Sequence, residues 1–346
     1  MSPSLSFERR KKDHIDLALK QENEALGQSG FHSIHLLHEA LPEIDFDDVS
    51  LGVLSFQRFP SPFFVSSMTA GHKGGVAINE VLAMACEKKG WLMGVGSQRK
   101  QLSVPEAAKE WKSLRKKSPH VSLMGNIGLS QLIQTSTKEI QRLVDSLEAV
   151  AMVVHTNPLQ ECLQPEGTPH FKGGLKAIES LCKELSVPVI LKETGCGFSR
   201  KTLERLNGLG LYAVDVSGYG GTHWGRIEGQ RAPLGSLKEQ AALSFAQWGE
   251  STVQSLLEAN SLTLDYAIWA SGGIRTGVDG AKALALGAEM VGLAKPMLQA
   301  ALEGPEALLK KMELLEYELK TALFCTGCES VQKLREKQPW VQKQKI

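Results

Sequence analysis

The amino-acid sequence predicts a closed (β/α)8 barrel, the TIM barrel, with an N-terminal extension and C-terminal helices. After Pro60, short apolar runs alternate with helix-like stretches eight times, the pattern of successive right-handed βαβ units. The runs are rich in Val, Ile, Leu and Met without strict alternation, which is typical of parallel strands buried on both faces. No G-x-G-x-x-G string follows the first run, and this weighs against a doubly wound dinucleotide-binding sheet.

The predicted elements follow one another in a regular order. The strands are expected at 63–68, 91–97, 120–127, 149–156, 187–193, 211–217, 264–272 and 288–294. Helices are expected at 79–89, 105–116, 137–147, 174–185, 199–206 and 277–286, with helical pieces from 218 to 257 and after 294. The chain therefore divides into an N-terminal extension (1–60), a barrel (61–335) and a frayed, solvated tail (336–346).

Composition and charge narrow the possible partners. The chain has 346 residues, of which 42% are hydrophobic and 22% charged, enough apolar side chains for a large globular core. Its 39 Lys and Arg residues nearly balance 38 Asp and Glu residues, so the formal net charge is +1. Such a chain has no general attraction for nucleic acid or for an anionic membrane. We therefore expect a small-molecule ligand that a local cluster of charge captures.

Two further features predict the cellular location of the protein and the redox state of its cysteines. No apolar run reaches the roughly 18 residues of a membrane span, and the charged first segment has no signal-peptide core. The six cysteines are therefore expected to be reduced thiols in a cytoplasmic protein. Cys325 and Cys328 form one C-x-x-C pair, and a four-cysteine zinc site would need a second pair.

The carboxyl ends of the predicted strands carry the candidate site, because active sites of such barrels lie at this end. An isolated Asn126 or Ser97 is most simply a turn former. Polar residues recur at nearly every strand end, however, so we interpret them as a site. The candidates here are Ser67, Met68, Thr69, Ser97, Arg99, Asn126, His155, Asn157, Lys192, Ser217, Thr222, Gly272, Gly273, Arg275, Ala294 and Lys295.

The last two strand ends indicate a phosphate site. Gly272 and Gly273 carry no side chains, so their N–H groups can approach phosphate oxygens closely. The loops after strands seven and eight form the usual phosphate site of this architecture. The string Gly-Gly-Ile-Arg, followed later by Ala-Leu-Gly-Ala-Glu-Met-Val, is similar to the flavin phosphate site of FMN-dependent barrels. The alternative is a plain glycine turn.

Lys192 and Glu161 are candidates for contact with charged ligands. Lys192 ends the run Val-Pro-Val-Ile-Leu, where its ammonium needs an anion such as the pyrimidine edge of a reduced flavin, or else an escape to solvent. Glu161 follows Gln160 in a loop that also holds His155 and Asn157. Oxygen ligands with few carboxylates suit Mg²⁺. Taken alone, Glu161 is more often a solvated loop acid.

The N-terminal run Arg9-Arg10-Lys11-Lys12 with His14 has two interpretations that the sequence leaves equal. The run is either the solvated face of a helix or part of a ligand site. In the second case its cations join Arg99 in a clamp for a diphosphate, which Arg side chains bind through paired hydrogen bonds.

Together these strings resemble the type 2, FMN-dependent isopentenyl-diphosphate isomerases, over about residues 8–334. The most specific parts are Gly-Val-Gly-Ser-Gln-Arg at 94–99 and Asn-Pro-Leu-Gln-Glu at 157–161. Three residues, Thr156, Tyr219 and His223, depart from the family pattern and put the local pocket shape in doubt. Other matches are Arg10-Lys11 with His14, Ser67-Met68-Thr69, Asn126-Ile127-Gly128, Gln164-Pro165-Glu166-Gly167, Lys192-Glu193, Asp215-Val216-Ser217-Gly218 and Gly220-Gly221-Thr222.

The resemblance implies a role for each matching residue. Glu161 would bind Mg²⁺, and Gln160 would lie near the reacting carbons as the candidate catalytic side chain. The substrate diphosphate or its neighbourhood would be held by Arg10, Lys11, Ser97, Arg99, His155, Asn157 and Gln160. FMN would contact Ser67, Met68, Thr69, Ser97, Asn126, Lys192, Ser217 and Thr222, with its phosphate near Gly272, Gly273, Arg275, Ala294 and Lys295.

The implied reaction interconverts isopentenyl and dimethylallyl diphosphate by a redox-neutral 1,3-allylic proton shift, a step of isoprenoid biosynthesis. Reduced FMN would act as acid and base, and NADPH would only keep the flavin reduced. The resemblance also implies a homo-oligomer, a tetramer or an octamer. The alternatives are an FMN-dependent 2-hydroxyacid dehydrogenase or oxidase, and a flavin-binding or phosphate-binding barrel without catalysis. Against the first, Tyr219 stands where those enzymes carry a histidine base.

Overall fold

The structure is a computed structural model that describes residues 3–25, 28–69 and 73–343. The end of the first predicted strand loop, at 70–71, and the last tail residues, 344–346, lie outside the described part. The N-terminal extension begins with the helix α1 (Pro3–Leu19). It continues through short 3-10 turns to the strand β1 (Ile34–Leu36) and to a hairpin of β2 (Val53–Leu54) and β3 (Arg58–Phe59).

Eight parallel strands form a closed barrel, as the sequence predicts. Each strand pairs with the next along the chain, and the last pairs with the first through Val291 opposite Phe63, which closes the barrel. The observed strands are mostly shorter than predicted because the polar residues at their carboxyl ends leave the ladder for the loops. The strands are β4 (Phe63–Val65), β5 (Leu92–Gly94), β6 (Leu123–Gly128), β7 (Ala151–Thr156), β8 (Val189–Glu193), β9 (Ala213–Asp215), β10 (Ala267–Ala270) and β11 (Met290–Leu293).

Helices cover the outside of the barrel. Their apolar faces follow helical spacing: in α6 the buried residues Ile140, Leu143, Val144 and Leu147 recur every three or four positions. The helices between the strands are α2 (Lys73–Lys89), α3 (Arg99–Ser103), α4 (Lys109–Lys117), α5 (Leu129–Leu132), α6 (Thr137–Leu147), α7 (Pro158–Leu163), α8 (Gly174–Glu184), α9 (Arg200–Leu206), α10 (Trp224–Arg231), α11 (Leu237–Ser244), α12 (Thr252–Asn260), α13 (Gly277–Ala285) and α14 (Lys295–Glu303).

The hairpin of β2 and β3 closes the amino end of the barrel. Phe56, in its turn, stacks on Trp269 of β10 with ring centroids 6.2 Å apart and contacts Tyr212, which precedes β9. Trp269 is fully buried and packs against Phe64 of β4. Because this end is filled with aromatic side chains, a ligand can enter only from the opposite, carboxyl end.

The C-terminal region corrects one expectation. After α15 (Pro305–Cys325) and α16 (Val331–Lys337), the chain forms the strand β12 (Trp340–Gln342), which pairs antiparallel with β1. The prediction of a frayed tail beyond Arg335 is therefore wrong for residues 336–342. Sequence patterns missed this strand because its partner lies some 300 residues away, at the other end of the chain.

The cysteines and the helix lengths bear on two other expectations. All six cysteines are free thiols, and Cys328 of the C-x-x-C pair is buried in the core. Within the described residues, none of the helices combines the length and the apolar character that a membrane span requires.

Candidate active site

A cavity of about 830 Å³ opens at the carboxyl end of the barrel strands, a size typical of small-molecule sites. It brings together candidates from every part of the sequence, including α1 of the N-terminal extension. Asn157 is not among the lining residues, and its side chain instead holds the loop after β7 in place. The predicted residues that line the cavity are Arg10, Lys11, Ser67, Met68, Thr69, Ser97, Arg99, Asn126, His155, Gln160, Glu161, Lys192, Ser217, Thr222, Gly272, Gly273, Arg275, Ala294 and Lys295.

The loop after β10 exposes backbone to the cavity. Gly272 and Gly273 adopt φ angles of 94° and 71°, the left-handed region that side chains disfavour. A Cβ on Gly273 would lie 2.6 Å from the carbonyl oxygen of Gly220, and one on Gly272 would clash with that of Gly218. The φ angles and the clashes therefore both require glycine at these positions. Without side chains, the backbone of this loop suits a phosphate group.

Three residues after β4 that line this cavity carry buried hydroxyl groups without protein partners. The side-chain oxygens of Ser66, Ser67 and Thr69 are buried and form no hydrogen bond with any described residue, and all three residues line the cavity. Leaving a buried hydroxyl unpaired is costly. Their arrangement therefore fits a polar, hydrogen-bonding ligand such as the ring system of a flavin.

Lys192, at the end of β8, has an anionic partner within the protein. Its Nζ donates to Asp215 Oδ2 at 2.6 Å and to Ser271 Oγ at 2.7 Å, and Ser271 Oγ donates to Asp215 as well. All three residues are buried. The sequence correctly predicts that this ammonium needs an anion, but the first anion it meets is a carboxylate of the neighbouring strand β9. Asp215 and Ser271 are site residues to which the sequence assigned no role.

His155 is neutral and held in one orientation. Its Nδ1 lies 2.6 Å from the amide oxygen of Asn126 on the adjacent strand β6. Because that oxygen only accepts, Nδ1 carries the proton and Nε2 remains an acceptor. Burial, with Lys11 and Lys192 nearby, lowers the pKa of His155 to about 4. The imidazole therefore offers the cavity a hydrogen-bond acceptor at neutral pH.

The short helix α7, which the sequence analysis did not predict, positions Gln160 and Glu161. Asn157 caps it: its Oδ1 accepts from the backbone N–H of Gln160 at 2.8 Å, and its Nδ2 donates to Thr194. Asn157 thus orients the loop. Glu161 Oε2 accepts from the backbone N–H of Thr168 at 2.7 Å, so one carboxylate oxygen is fixed.

Glu228 of α10 organises this side of the cavity, and the sequence analysis missed it. The residue is fully buried. Its Oε1 lies 2.9 Å from Gln160 Nε2 and 2.9 Å from His14 Nε2, and its Oε2 accepts from Arg231 at 2.6 Å. Burial acts to raise the pKa of Glu228, but His14, Arg231 and Gln160 outweigh it and lower the pKa. No sequence signal distinguishes this Glu from a surface acid of a polar helix.

The helix α1 contributes a cluster of like charges to the rim. Lys11, His14, Ile15 and Ala18 follow one helical face and all line the cavity, together with Arg10. This outcome supports the clamp interpretation of the N-terminal cations. Burial and the neighbouring Arg10 and Arg99 lower the pKa of Lys11 to about 8. Glu110 opposes this shift, and an anion that binds among the cations would oppose it further.

Two departures from the expected pattern lie close together. Tyr219 is buried and packs edge-on against His223, with ring centroids 5.9 Å apart. His223 caps α10 by accepting from the backbone N–H of Arg226. Neither residue is among the described residues that line the cavity. The third departure, Thr156 at the end of β7, is half-buried.

Comparison with known sequences agrees with this site. Residues 140–341 match the family described as FMN-dependent dehydrogenase. The chain is 52% identical to the isopentenyl-diphosphate delta-isomerase of Legionella pneumophila (strain Paris) over 332 residues, which are 96% of this chain and 97% of that one. The same enzyme of Bdellovibrio bacteriovorus is 53% identical over 336 residues, again 96% and 97% of the two chains. The Nostoc enzyme is 39% identical over 337 residues, 96% of each chain.

Solved structures share the barrel at low sequence identity. A soluble mutant of the (S)-mandelate dehydrogenase of Pseudomonas putida superposes with a TM-score of 0.67 at 17% identity, covering 96% of this chain and 99% of that one. A mandelate oxidase variant gives 0.63 at 19% identity, with 99% and 98% covered. These likenesses concern the fold, whereas the sequence identities above decide the family. The chain belongs to the isopentenyl-diphosphate delta-isomerase family, in its FMN-dependent, type 2 form.

Proposed function

We propose that the protein interconverts isopentenyl diphosphate and dimethylallyl diphosphate by a redox-neutral 1,3-allylic proton shift. This proposal rests on one observation: a single cavity has a lining with two chemically different parts. A flavin-compatible wall of bare backbone and unpaired hydroxyls lies after β4 and β10, and a rim of cations comes from α1 and α3. The reaction needs both, because the diphosphate supplies binding energy that positions the alkene.

FMN fits the residues of the barrel mouth. Ser66, Ser67 and Thr69 have buried hydroxyls without protein partners, and the glycine pair after β10 brings backbone to the cavity lining. We assign the ring to the side of Thr69, Asn126 and Lys192, and the phosphate to the loops after β10 and β11. When bound in its reduced state, FMN supplies an electron-rich ring with a nitrogen that exchanges protons. NADPH is proposed only as the reductant that brings the flavin to that state.

The side chains at the rim are assigned to the diphosphate. Arg10, Lys11 and Arg99 lie near one another and donate to the diphosphate oxygens, whereas neutral His155 accepts through Nε2 and so contacts the diphosphate through a donor such as a bridging water. Gln160, which Glu228 holds through a 2.9 Å hydrogen bond, is assigned to the reacting carbons. Since an amide is a weak acid and base, its proposed role is to orient a proton or a water molecule there.

Mg²⁺ fits Glu161 only with help from the substrate. Among the described residues, no group of three or more His, Cys, Asp or Glu side chains could hold a metal ion. Glu161 lines the cavity with one oxygen fixed by Thr168. Magnesium keeps several waters and often shares one carboxylate with substrate phosphates. We therefore propose that Glu161 binds Mg²⁺ together with the diphosphate, where the ion neutralises charge.

The 2-hydroxyacid oxidase alternative is less well supported. Such an enzyme needs a base beside the flavin, and the position that would carry it holds Tyr219. This tyrosine is buried against His223, apart from the described cavity lining.

Product analysis tests the proposal. The protein is incubated anaerobically with FMN, Mg²⁺, NADPH and isopentenyl diphosphate, and in parallel with lactate, glycolate or mandelate and an electron acceptor. We expect dimethylallyl diphosphate in the first reaction and no acceptor reduction in the second. Acceptor reduction without isomerisation would establish the oxidase alternative, and FMN binding with neither activity would leave a binding protein.

The homo-oligomer is also a proposal. Leu234, Leu237, Leu243 and Trp248, on and around α11, are 93%, 84%, 76% and 59% exposed, and exposed apolar patches often mark protein contacts. Light scattering of the purified protein distinguishes a tetramer or octamer from a monomer.

A further inference from the structure

Glu24, in the N-terminal extension, bridges the two cations assigned to the flavin phosphate. Its Oε2 accepts from Arg275 Nη2 at 2.7 Å, and its Oε1 lies 2.9 Å from Lys295 Nζ. Burial acts to raise the pKa of Glu24, but the hydrogen bonds and charges of Lys295 and Arg275 outweigh it and lower the pKa. The carboxylate is therefore anionic at neutral pH and lies where a phosphate would be attracted.

The backbone around Glu24 is held against the mouth of the barrel. The N–H of Ala25 donates to the carbonyl of Gly221 at 2.8 Å, and the N–H of His223 donates to the carbonyl of Asn23 at 2.9 Å. Glu24 and Thr222 form an antiparallel bridge between these two bonds. We call residues 20–25 the strap. Because the strap is fixed by backbone bonds, the Glu24 carboxylate is delivered to the cations by the fold.

Both cations are also tied to the backbone around them. Arg275 donates to the carbonyls of Gly273 and Gly220 at 3.0 and 3.1 Å, and Lys295 donates to the carbonyl of Lys20 at 3.2 Å. Their positions are thus set by the loop and the strap. A phosphate monoester brings a charge of about −1.5 to −2 at neutral pH, more than one carboxylate can match.

We propose that Glu24 is a resident anion at the flavin-phosphate site, which the phosphate of FMN displaces from Arg275 and Lys295. The inference rests on the FMN site proposed above. Loading of the cofactor then loosens the strap that connects α1 to the barrel. By linkage, attachment of the strap weakens FMN binding by the same factor by which bound FMN weakens attachment of the strap.

Flavin titrations of the apoprotein test this inference. Glu24→Gln keeps the size of the side chain but removes its charge and one of its two acceptor oxygens. We expect FMN to bind about fivefold more tightly to this variant, since two partly exposed ion pairs no longer compete. Riboflavin, which lacks the phosphate, should bind the variant and the unmodified protein equally. Flavin fluorescence gives both dissociation constants.

The matched control is Glu22→Gln. Glu22 lies on the same strap, is 58% exposed, and contacts Lys20 and Gln230 but neither phosphate cation. Its substitution should leave FMN affinity unchanged. Unchanged or weaker FMN binding by Glu24→Gln would overturn the inference, as would equal tightening for riboflavin. Failure of the unmodified protein to bind FMN at all would instead overturn the proposed cofactor.

Hydrogen exchange at the strap provides a second readout. The Ala25 amide reports the strap directly, through its bond to Gly221. Displacement of Glu24 predicts faster exchange at this amide when FMN is added, and no change with riboflavin. Slower exchange with FMN would show that phosphate and carboxylate bind together, which contradicts displacement.

Discussion

The cavity carries positive charge in two regions that differ in how the charge is compensated. In the inner region, Lys192 lies 2.6 Å from the Asp215 carboxylate and is almost completely buried. At the rim, burial and neighbouring cations, Arg99 among them, lower the pKa of Arg10 and Lys11, while Glu166 opposes this shift at Arg10 and Glu110 opposes it at Lys11. The inner ammonium is thus held by one buried carboxylate in direct contact, whereas several cations lie near one another at the rim.

Because of this difference, we expect the two regions to bind different ligands. A paired ammonium is a stable part of the barrel wall, and it would hold the ring of a bound flavin without requiring a full negative charge on that ring. Several cations that line one part of a cavity suit a ligand with several negative charges. The inner region therefore suits the flavin ring, and the rim suits the diphosphate.

Removing the inner cation should have the largest effect. Lys192→Met leaves the Asp215 carboxylate buried without its ammonium, so the free energy of unfolding should fall by about 3 to 5 kcal/mol. Urea unfolding of the apoprotein measures it. Lys183→Met removes an exposed pair with Glu179 and should change the value by less than about 1 kcal/mol. Equal small losses would contradict the paired inner region, and adding Asp215→Asn to Lys192→Met should restore part of the loss.

Removing the rim cations should affect substrate and not folding. Arg10→Ala combined with Lys11→Ala is expected to raise KM for isopentenyl diphosphate by about a hundredfold, since each charged hydrogen bond contributes about 1.5 to 3 kcal/mol. Because both residues lie at the rim of the cavity, the free energy of unfolding should change by no more than about 1 kcal/mol. Lys12→Ala is the control, because Lys12 is exposed and pairs with Asp16. A KM that stays constant would assign the diphosphate elsewhere.

Glu228 connects the rim to the reacting carbons. Glu228→Gln cannot accept from His14, Gln160 and Arg231 together, so Gln160 loses its fixed position. We expect kcat to fall about tenfold with a smaller change in KM, measured by steady-state kinetics. Glu166→Gln is matched to it because Glu166 shares Arg231 but touches neither Gln160 nor His14. A loss confined to KM would make Glu228 part of the substrate clamp only.

The smallest effect concerns pH. Because the pKa of Lys11 is lowered to about 8, its charge is present below that pH and is lost above it. The value of kcat/KM should therefore fall as pH rises through 8, by several-fold. In Lys11→Arg the charge persists to much higher pH, so this limb should move upward. A limb that stays at pH 8 in the arginine variant would belong to another group.

The sequence predicts the barrel well because its signals are local. Apolar runs, helical spacing and polar strand ends each lie within one segment, and the structure places nearly all the candidate residues around one cavity. Partners that are distant in sequence were missed, among them Asp215 for Lys192, Glu228 for Gln160 and Glu24 for Arg275. The charge of each is ordinary in its segment, and only the closed barrel brings the pairs together. The strand β12 was missed for the same reason.

Counting product per reduced flavin tests redox-neutral isomerisation most directly. The flavin is reduced once under anaerobic conditions, the reductant is removed, and isopentenyl diphosphate is added in large excess with Mg²⁺. A flavin that is an acid and base predicts many molecules of dimethylallyl diphosphate per flavin, with the absorbance spectrum still that of the reduced form. Formation of no more than one product per flavin, with reoxidation of the flavin, would contradict it.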